Sequence, residues 1–223
     1  MPYVAQEDRK KLNPTIENVA IAIAKRVKSA DTPAELSVFY KRAFMSIAET
    51  IYRLVSGKQV ELKTDEQKLG GKIYELDREY NYDAAFNGEL NYSITRIIQL
   101  TPREMVQRGI SKQELRYWIY SQTVGALMRV QDEVKALATK ANDPARDWVF
   151  DGLVGVFEDI KDEYKRRVNP DYELEQILKS GDCYDGPYHT TLREIRDDAG
   201  NVIGWHEIMP NRESPKNKDK TIS

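Results

Sequence analysis

The chain has 223 residues, 40% of them hydrophobic and 31% charged, with only 12 Gly and 9 Pro: the profile of a helix-rich globular protein long enough to bury a substantial core. Its formal net charge of −2 supplies no global field toward nucleic acid or an acidic membrane. The single cysteine, Cys183, excludes an intramolecular disulfide and a Cys-based zinc site, and two histidines, His189 and His206, leave little for a His-rich metal centre or a Ser-His-Asp triad.

The start, MPYVAQEDRKKLNP, lacks the apolar core of a signal peptide, and the longest near-apolar run, Val19 to Ala24, is far too short to span a bilayer. The expectation is a soluble, cytoplasmic protein with no membrane partner.

Asn13-Pro14 reads as an N-cap followed by proline at the first helical position, ahead of an apolar face of Ile16, Val19, Ile23 and Val27. Thr32-Pro33-Ala34-Glu35 reads as a capping box. It opens a stripe of Leu36, Tyr40, Ala43, Phe44, Ile47, Ile51, Leu54 and Val55 that ends before Gly57. Thr64 to Gln67 is a second box, leading into Leu69, Ile73, Leu76 and Tyr80. Asn87-Gly88 is a turn pair and predicts a break between 81 and 88. From Glu89 to Leu100 the helical pattern resumes with Leu90, Ile94, Ile97 and Ile98 inward.

Thr101-Pro102-Arg103-Glu104 predicts a separate short helix stopped by Gly109, and Ser111 a long one reaching about Lys140 with Tyr120, Val124, Leu127 and Val134 inward. Asp143-Pro144 opens the last helix. Residues 190 to 208 read as two short strands around a DDAGN turn, and the tail from Pro210 has almost nothing to bury. The expected fold is all-α: a bundle of about six helices over 1–185, a short C-terminal β-hairpin over 186–209, and a disordered tail over 210–223.

The stretch from Asp147 to Tyr184 carries the densest pattern. Val149, Leu153, Val156, Ile160 and Tyr164 share one sector of a helix, while Asp159, Asp162 and Arg166 face water; a proline break and a glycine stop follow at Pro170 and Gly181. Arg167 projects close to the apolar sector, with Glu163 one turn earlier. The pair reads either as a semi-buried structural ion pair or as an arginine gripping a phosphate or carboxylate in a polar cleft. A second polar group lies at 88–96. There Glu89, Tyr92 and Arg96 fall opposite Leu90 and Ile94, where solvated surface is the plain reading for Glu89 and Arg96. Asn91 and Thr95 flank the apolar side, where Asn91 would make an interhelical hydrogen bond. Trp118, Trp148 and Trp205 read as core or interface residues.

Three blocks, MPYVAQEDRKKLNPTIE at the start, GELNYSITRII at 88–98 and EYKRRVNPDYELEQILKSGDCY at 163–184, resemble the signature blocks of a small all-helical family of bacteriophages and scattered bacteria and archaea. Members of that family are about half this length and have no assigned function. The resemblance covers roughly 50 residues; the segments around 33–85 and 101–145, and everything after 185, look like expansions. It implies that Glu89, Asn91, Tyr92, Arg96, Glu163, Arg166, Arg167, Tyr172, Glu173, Gly181, Asp182 and Tyr184 form one spatial cluster. In Asn169-Pro170-Asp171-Tyr172 the proline is shifted by one residue from the family pattern.

Two functional readings compete. In the first the chain is a non-catalytic binding or accessory protein of phage or mobile-element origin. Its ligand- or partner-binding residues are Glu89, Asn91, Tyr92, Arg96, Glu163, Arg166, Arg167, Tyr172, Asp182 and Tyr184, and they take a partner protein or a small anionic ligand. In the second it is a Mg2+-dependent, MazG-like all-α nucleotide pyrophosphohydrolase, with Glu75, Glu79, Asp159 and Asp162 as metal ligands. The Glu-x-x-Glu expected of that class is absent at 75–79, where the spacing is four. Acids at 158, 159, 162 and 163 offset Lys161, Lys165, Arg166 and Arg167, which weighs against nucleic acid. The reading assigns no catalytic residue and no cofactor outside that Mg2+ alternative, and it leaves a homo-oligomer open.

Overall fold

The structure is a computed structural model that describes residues 4–27, 33–80, 86–141, 147–180, 191–197, 200 and 202–208. Packing divides the chain into two units, residues 1–169 and 170–223. The fold of the first is all-helical: α1 (Gln6–Arg26), α2 (Pro33–Val55), α3 (Asp65–Tyr80), α4 (Phe86–Gln107), α5 (Lys112–Ala141) and the first two-thirds of α6 (Asp147–Ser180). Two short segments are described after α6, β1 (Thr191–Arg196) and β2 (Val202–Ile208), in an antiparallel register from Thr191↔Ile208 to Arg196↔Val202.

Helix ends follow local chemistry. Thr64 Oγ1 accepts from the Gln67 amide at 3.2 Å while Gln67 Oε1 accepts from the Thr64 amide at 3.1 Å, a reciprocal capping box. α2 and α4 end alike. Gly57 (φ 70°) and Gly109 (φ 91°) take the left-handed conformation. There the amides of Lys58 and Ile110 reach back to the carbonyls of Arg53 and Met105 at 2.9 and 3.1 Å, closing otherwise orphaned acceptors.

The core joins the apolar stripes of all six helices. On α2, Tyr40 stacks on Phe44 at 5.3 Å, Phe44 lies 6.3 Å from Phe157 of α6, and Tyr52 lies 4.5 Å from Phe150 of α6. Leu90, Ile94 and Ile97 of α4 are fully buried, as are Leu12, Ile16, Val19 and Ile23 of α1. α1 lies along α4 and α3, and α2 along α3 and α5. Polar ties hold the seams: Lys72 donates to Thr15 Oγ1 at 2.8 Å, Lys41 pairs with Glu133 at 2.7 Å, and Arg129 donates to Ser37.

Several sequence expectations are corrected by this packing. α1 begins at Gln6, so Pro14 sits inside it and Asn13 is no cap; its side chain instead accepts the Tyr92 hydroxyl at 2.8 Å. α3 ends at Tyr80 and α4 starts at the buried Phe86, in keeping with a break between 81 and 88, but the Asn87-Gly88 pair itself lies within the first turn of α4. The short helix expected from Thr101 does not separate, because α4 runs on through Pro102. Thr101 Oγ1 donates to Ile97 O at 2.8 Å rather than capping a new helix, and the buried run Ile97, Ile98, Thr101, Met105 stays on one face. That burial outweighs the roughly 3 kcal/mol cost of an interior proline. α6 likewise passes through Pro170 without the expected break. Trp148 is 44% exposed and is therefore not a core residue. The Thr32 box, the Asp143-Pro144 start and the 210–223 tail lie outside the described residues.

Gly70 sets the approach of α3 to α2. A Cβ there would fall 2.9 Å from both Ile47 O and Thr50 Cβ. Gly→Ala within a helix ordinarily stabilises by about 0.5–1 kcal/mol. Here we expect the opposite sign: Gly70→Ala lowers unfolding free energy by about 1–3 kcal/mol through overpacking, read from urea denaturation.

Candidate functional site: a cleft between the fourth and sixth helices

α4 and α6 border a cleft of about 330 Å3. The α4 wall carries Asn91, Tyr92, Thr95, Arg96, Ile98 and Gln99, each on the face next to the buried Leu90–Ile94–Ile97 stripe. The α6 wall carries Ile160, Glu163, Tyr164, Arg167 and Val168, and α1 adds Arg9 at the edge. Helical periodicity makes this set: positions three and four apart present one side chain per turn to the gap.

Arg9 Nε donates to Val4 O at 2.8 Å, and its guanidinium lies 5.4 Å from the centre of the Tyr92 ring. Tyr92 is in turn fixed by its bond to Asn13, 79 residues away in sequence. One turn on, Arg96 Nη1 donates to the neutral Gln99 amide oxygen at 3.0 Å; among the described residues no carboxylate is paired with it. Asn91 Oδ1 accepts from Thr95 Oγ1 at 3.4 Å within the same helix, so the interhelical bond expected of Asn91 is replaced by a cleft-facing one.

Opposite, Glu163 serves two arginines. Arg166 forks onto it with Nε and Nη2 at 2.8 Å each, and Arg167 Nε donates to its Oε1. These hydrogen bonds hold the Glu163 carboxyl down at about 2. Arg167 is 48% exposed, so the semi-buried pair expected from the helical wheel is a rim pair. Behind it, Tyr164 stacks at 6.0 Å on Tyr120 of α5, and burial raises its hydroxyl pKa.

Of the residues singled out from sequence, the cleft therefore brings together Asn91, Tyr92, Arg96, Glu163 and Arg167. Arg166 faces outward at 68% exposure. Glu89 is not solvated surface: it is half-buried, and desolvation first, then the charges of Asp77 and Asp8, push its carboxyl pKa up. The side chains of Tyr172 and Glu79 lie outside the described residues, as do Asp182 and Tyr184. Glu75, Asp159 and Asp162 are exposed, and among the described residues no three His, Cys, Asp or Glu side chains are placed to hold a metal ion. Periodicity alone missed Arg9, Gln99, Tyr164 and Val168 as cleft residues. Arg9 lies inside the first resemblance block, which was its available signal.

These observations define a small all-helical protein with an arginine-bearing, apolar-floored cleft. Residues 1–146 match the family described as a domain of unknown function (DUF6899), and the chain belongs to that family. The match takes in α1 to α5 and the α4 wall, and ends before α6. No curated protein and no solved structure matches the chain.

The two carboxylates give opposite pH linkages. Glu163 is held below its ordinary value, so its contribution to stability is complete above about 4.5 and is lost as pH falls toward 2. We expect its carboxyl NMR titration to centre near 2, and to move up in Arg166→Ala and in Arg167→Ala. Glu89 is raised, so the folded state binds its proton more tightly and stability falls as pH rises through that window. Glu89→Gln should raise the urea midpoint at pH 7, with the gain shrinking as pH falls toward 4.5.

Proposed function

We propose that this chain is a non-catalytic helical binding protein of phage or mobile-element lineage that takes a small anionic ligand in the α4–α6 cleft. The observation that carries the reading is the charge of the cleft wall. Among the described residues it holds three guanidiniums, Arg9, Arg96 and Arg167, against one carboxylate, Glu163, in a protein whose net charge is −2. Arg96 is half-buried and engages only a neutral amide among the described residues, so its charge is open to an incoming anion. The floor of Ile98, Ile160, Tyr164 and Val168 and the volume both suit a small molecule. The phage lineage rests on the resemblance of the three sequence blocks.

Location in the host cytoplasm fits the single cysteine and the finding that no described helix is long and apolar enough to cross a membrane. The hairpin of β1 and β2 is taken as an appendage for partner contact. The Mg2+-dependent hydrolase reading gains no support from the exposed Glu75, Asp159 and Asp162.

Calorimetric titration of the purified chain with acetate, benzoate, inorganic phosphate and phenyl phosphate tests the proposal. At least one anion binds one-to-one with Kd below about 1 mM, and Arg96→Ala weakens it about tenfold or more while leaving the helical circular dichroism unchanged. If all four bind no better to wild type than to Arg96→Ala, the cleft is not an anion site.

A further inference from the structure

We infer that the ligand is a phosphomonoester: a dianionic phosphate carried on a compact apolar body about the size of a single aromatic ring. This deepens the anion-binding reading and rests on it. Three features of the cleft converge on that class.

The first is charge. Among the described lining residues three guanidiniums face one carboxylate, an excess of two positive charges. Glu163 keeps its negative charge throughout the physiological range, because its hydrogen bonds to Arg166 and Arg167 hold its carboxyl at about 2. A monocarboxylate would leave one guanidinium charge uncompensated in a partly desolvated site. A phosphomonoester, which carries close to two negative charges at neutral pH, matches the excess.

The second is donor geometry. Arg96 and Arg167 stand on opposing walls, and each guanidinium is anchored by a neighbour on its own helix, Gln99 and Glu163 respectively. Anchoring reduces the rotamer entropy lost on binding. Thr95 and Asn91 add a hydroxyl and an amide to the α4 wall. A tetrahedral phosphate, with three terminal oxygens, can accept from two walls at once, whereas a planar carboxylate is satisfied by one fork.

The third is the floor. Ile160 and Ile98 are buried, Tyr164 is mostly buried, and Val168 lines the cleft beside them. Inorganic phosphate would leave this apolar surface wet, so affinity must come in part from a body that covers it. A volume of about 330 Å3 lies at the lower end of small-molecule sites, which limits that body to about one ring.

The test compares phenyl phosphate, benzoate and inorganic phosphate on the full chain by calorimetry at constant ionic strength. Phenyl phosphate should bind at least tenfold more tightly than either of the others at pH 7.5. Its affinity should also fall about tenfold between pH 7.5 and pH 5, as its second ionisation near 6 is lost. The charged and titratable groups facing it are Arg9, Arg96, Arg167, Glu163, Tyr92 and Tyr164; Glu163, held down at about 2, stays ionised across that interval. Arg96→Gln should reduce the preference for phenyl phosphate over benzoate to below threefold. A preference under tenfold in the wild type, a flat pH profile, or an undiminished preference in Arg96→Gln overturns the phosphomonoester assignment while leaving anion binding intact. Binding of none of the three compounds overturns the anion-binding reading itself.

Discussion

The cleft exists because the apolar stripe of α6 is longer than the surface that covers it. From Val149 to Phe157 the stripe is buried against α2 and α5, anchored by Phe44 on Phe157, Tyr52 on Phe150 and the Gln131 amide on Val154 O. Beyond Ile160 the cover thins. Tyr164 still stacks on Tyr120, but Val168 and one face of Ile160 open onto the gap beside α4. Hydrophobic burial therefore fixes where α6 lies, and the end of that burial fixes where a ligand could sit.

The opposite wall is fixed by different means. α4 is seated on α1 with Leu90, Ile94 and Ile97 fully buried, and the Tyr92 hydroxyl on Asn13 locks the contact with a directional bond. Arg9 over the Tyr92 ring extends that lock to the cleft edge. Tyr92 thus serves the core with one ring face and the site with its surroundings. Arg96, one turn on, has no such structural duty. The wall separates residues that hold the helices together from residues whose bonds stay local and polar. Tyr92 therefore positions the wall, while Arg96 carries its charge on it.

Glu163 shows how an ion pair can be mostly electrostatic furniture on one side and part of a site on the other. Its bond to Arg166 is exposed and screened by solvent, and contributes little to stability. Its bond to Arg167 orients a guanidinium at the mouth of the cleft. Glu89 is the contrasting case. Held half-buried near Asp8 and Asp77, it costs stability when ionised, which a solvated helix face would not.

The sequence by itself determined the helical class, the identity of the buried stripes and the local stops. Periodicity, capping boxes and left-handed glycines act over one or two turns, so Thr64–Gln67, Gly57 and Gly109 behave as their neighbours dictate. Only the tertiary structure decided where helices continue. Pro14, Asn87-Gly88, Pro102 and Pro170 all carry local signals for an end or a start, yet each lies within a helix. In α4 the burial of a continuous face from Phe86 to Met105 exceeds what one proline costs. The same reason governs the site. Asn91, Tyr92, Arg96, Glu163 and Arg167 were legible as polar positions on two helices, but a sequence pattern gives each helix a face and no neighbour. The neighbour comes from packing. Packing brought Arg9 and Tyr164 to the cleft, while Arg166, Asp159 and Asp162 lie on the exposed face that the helical pattern already gave them.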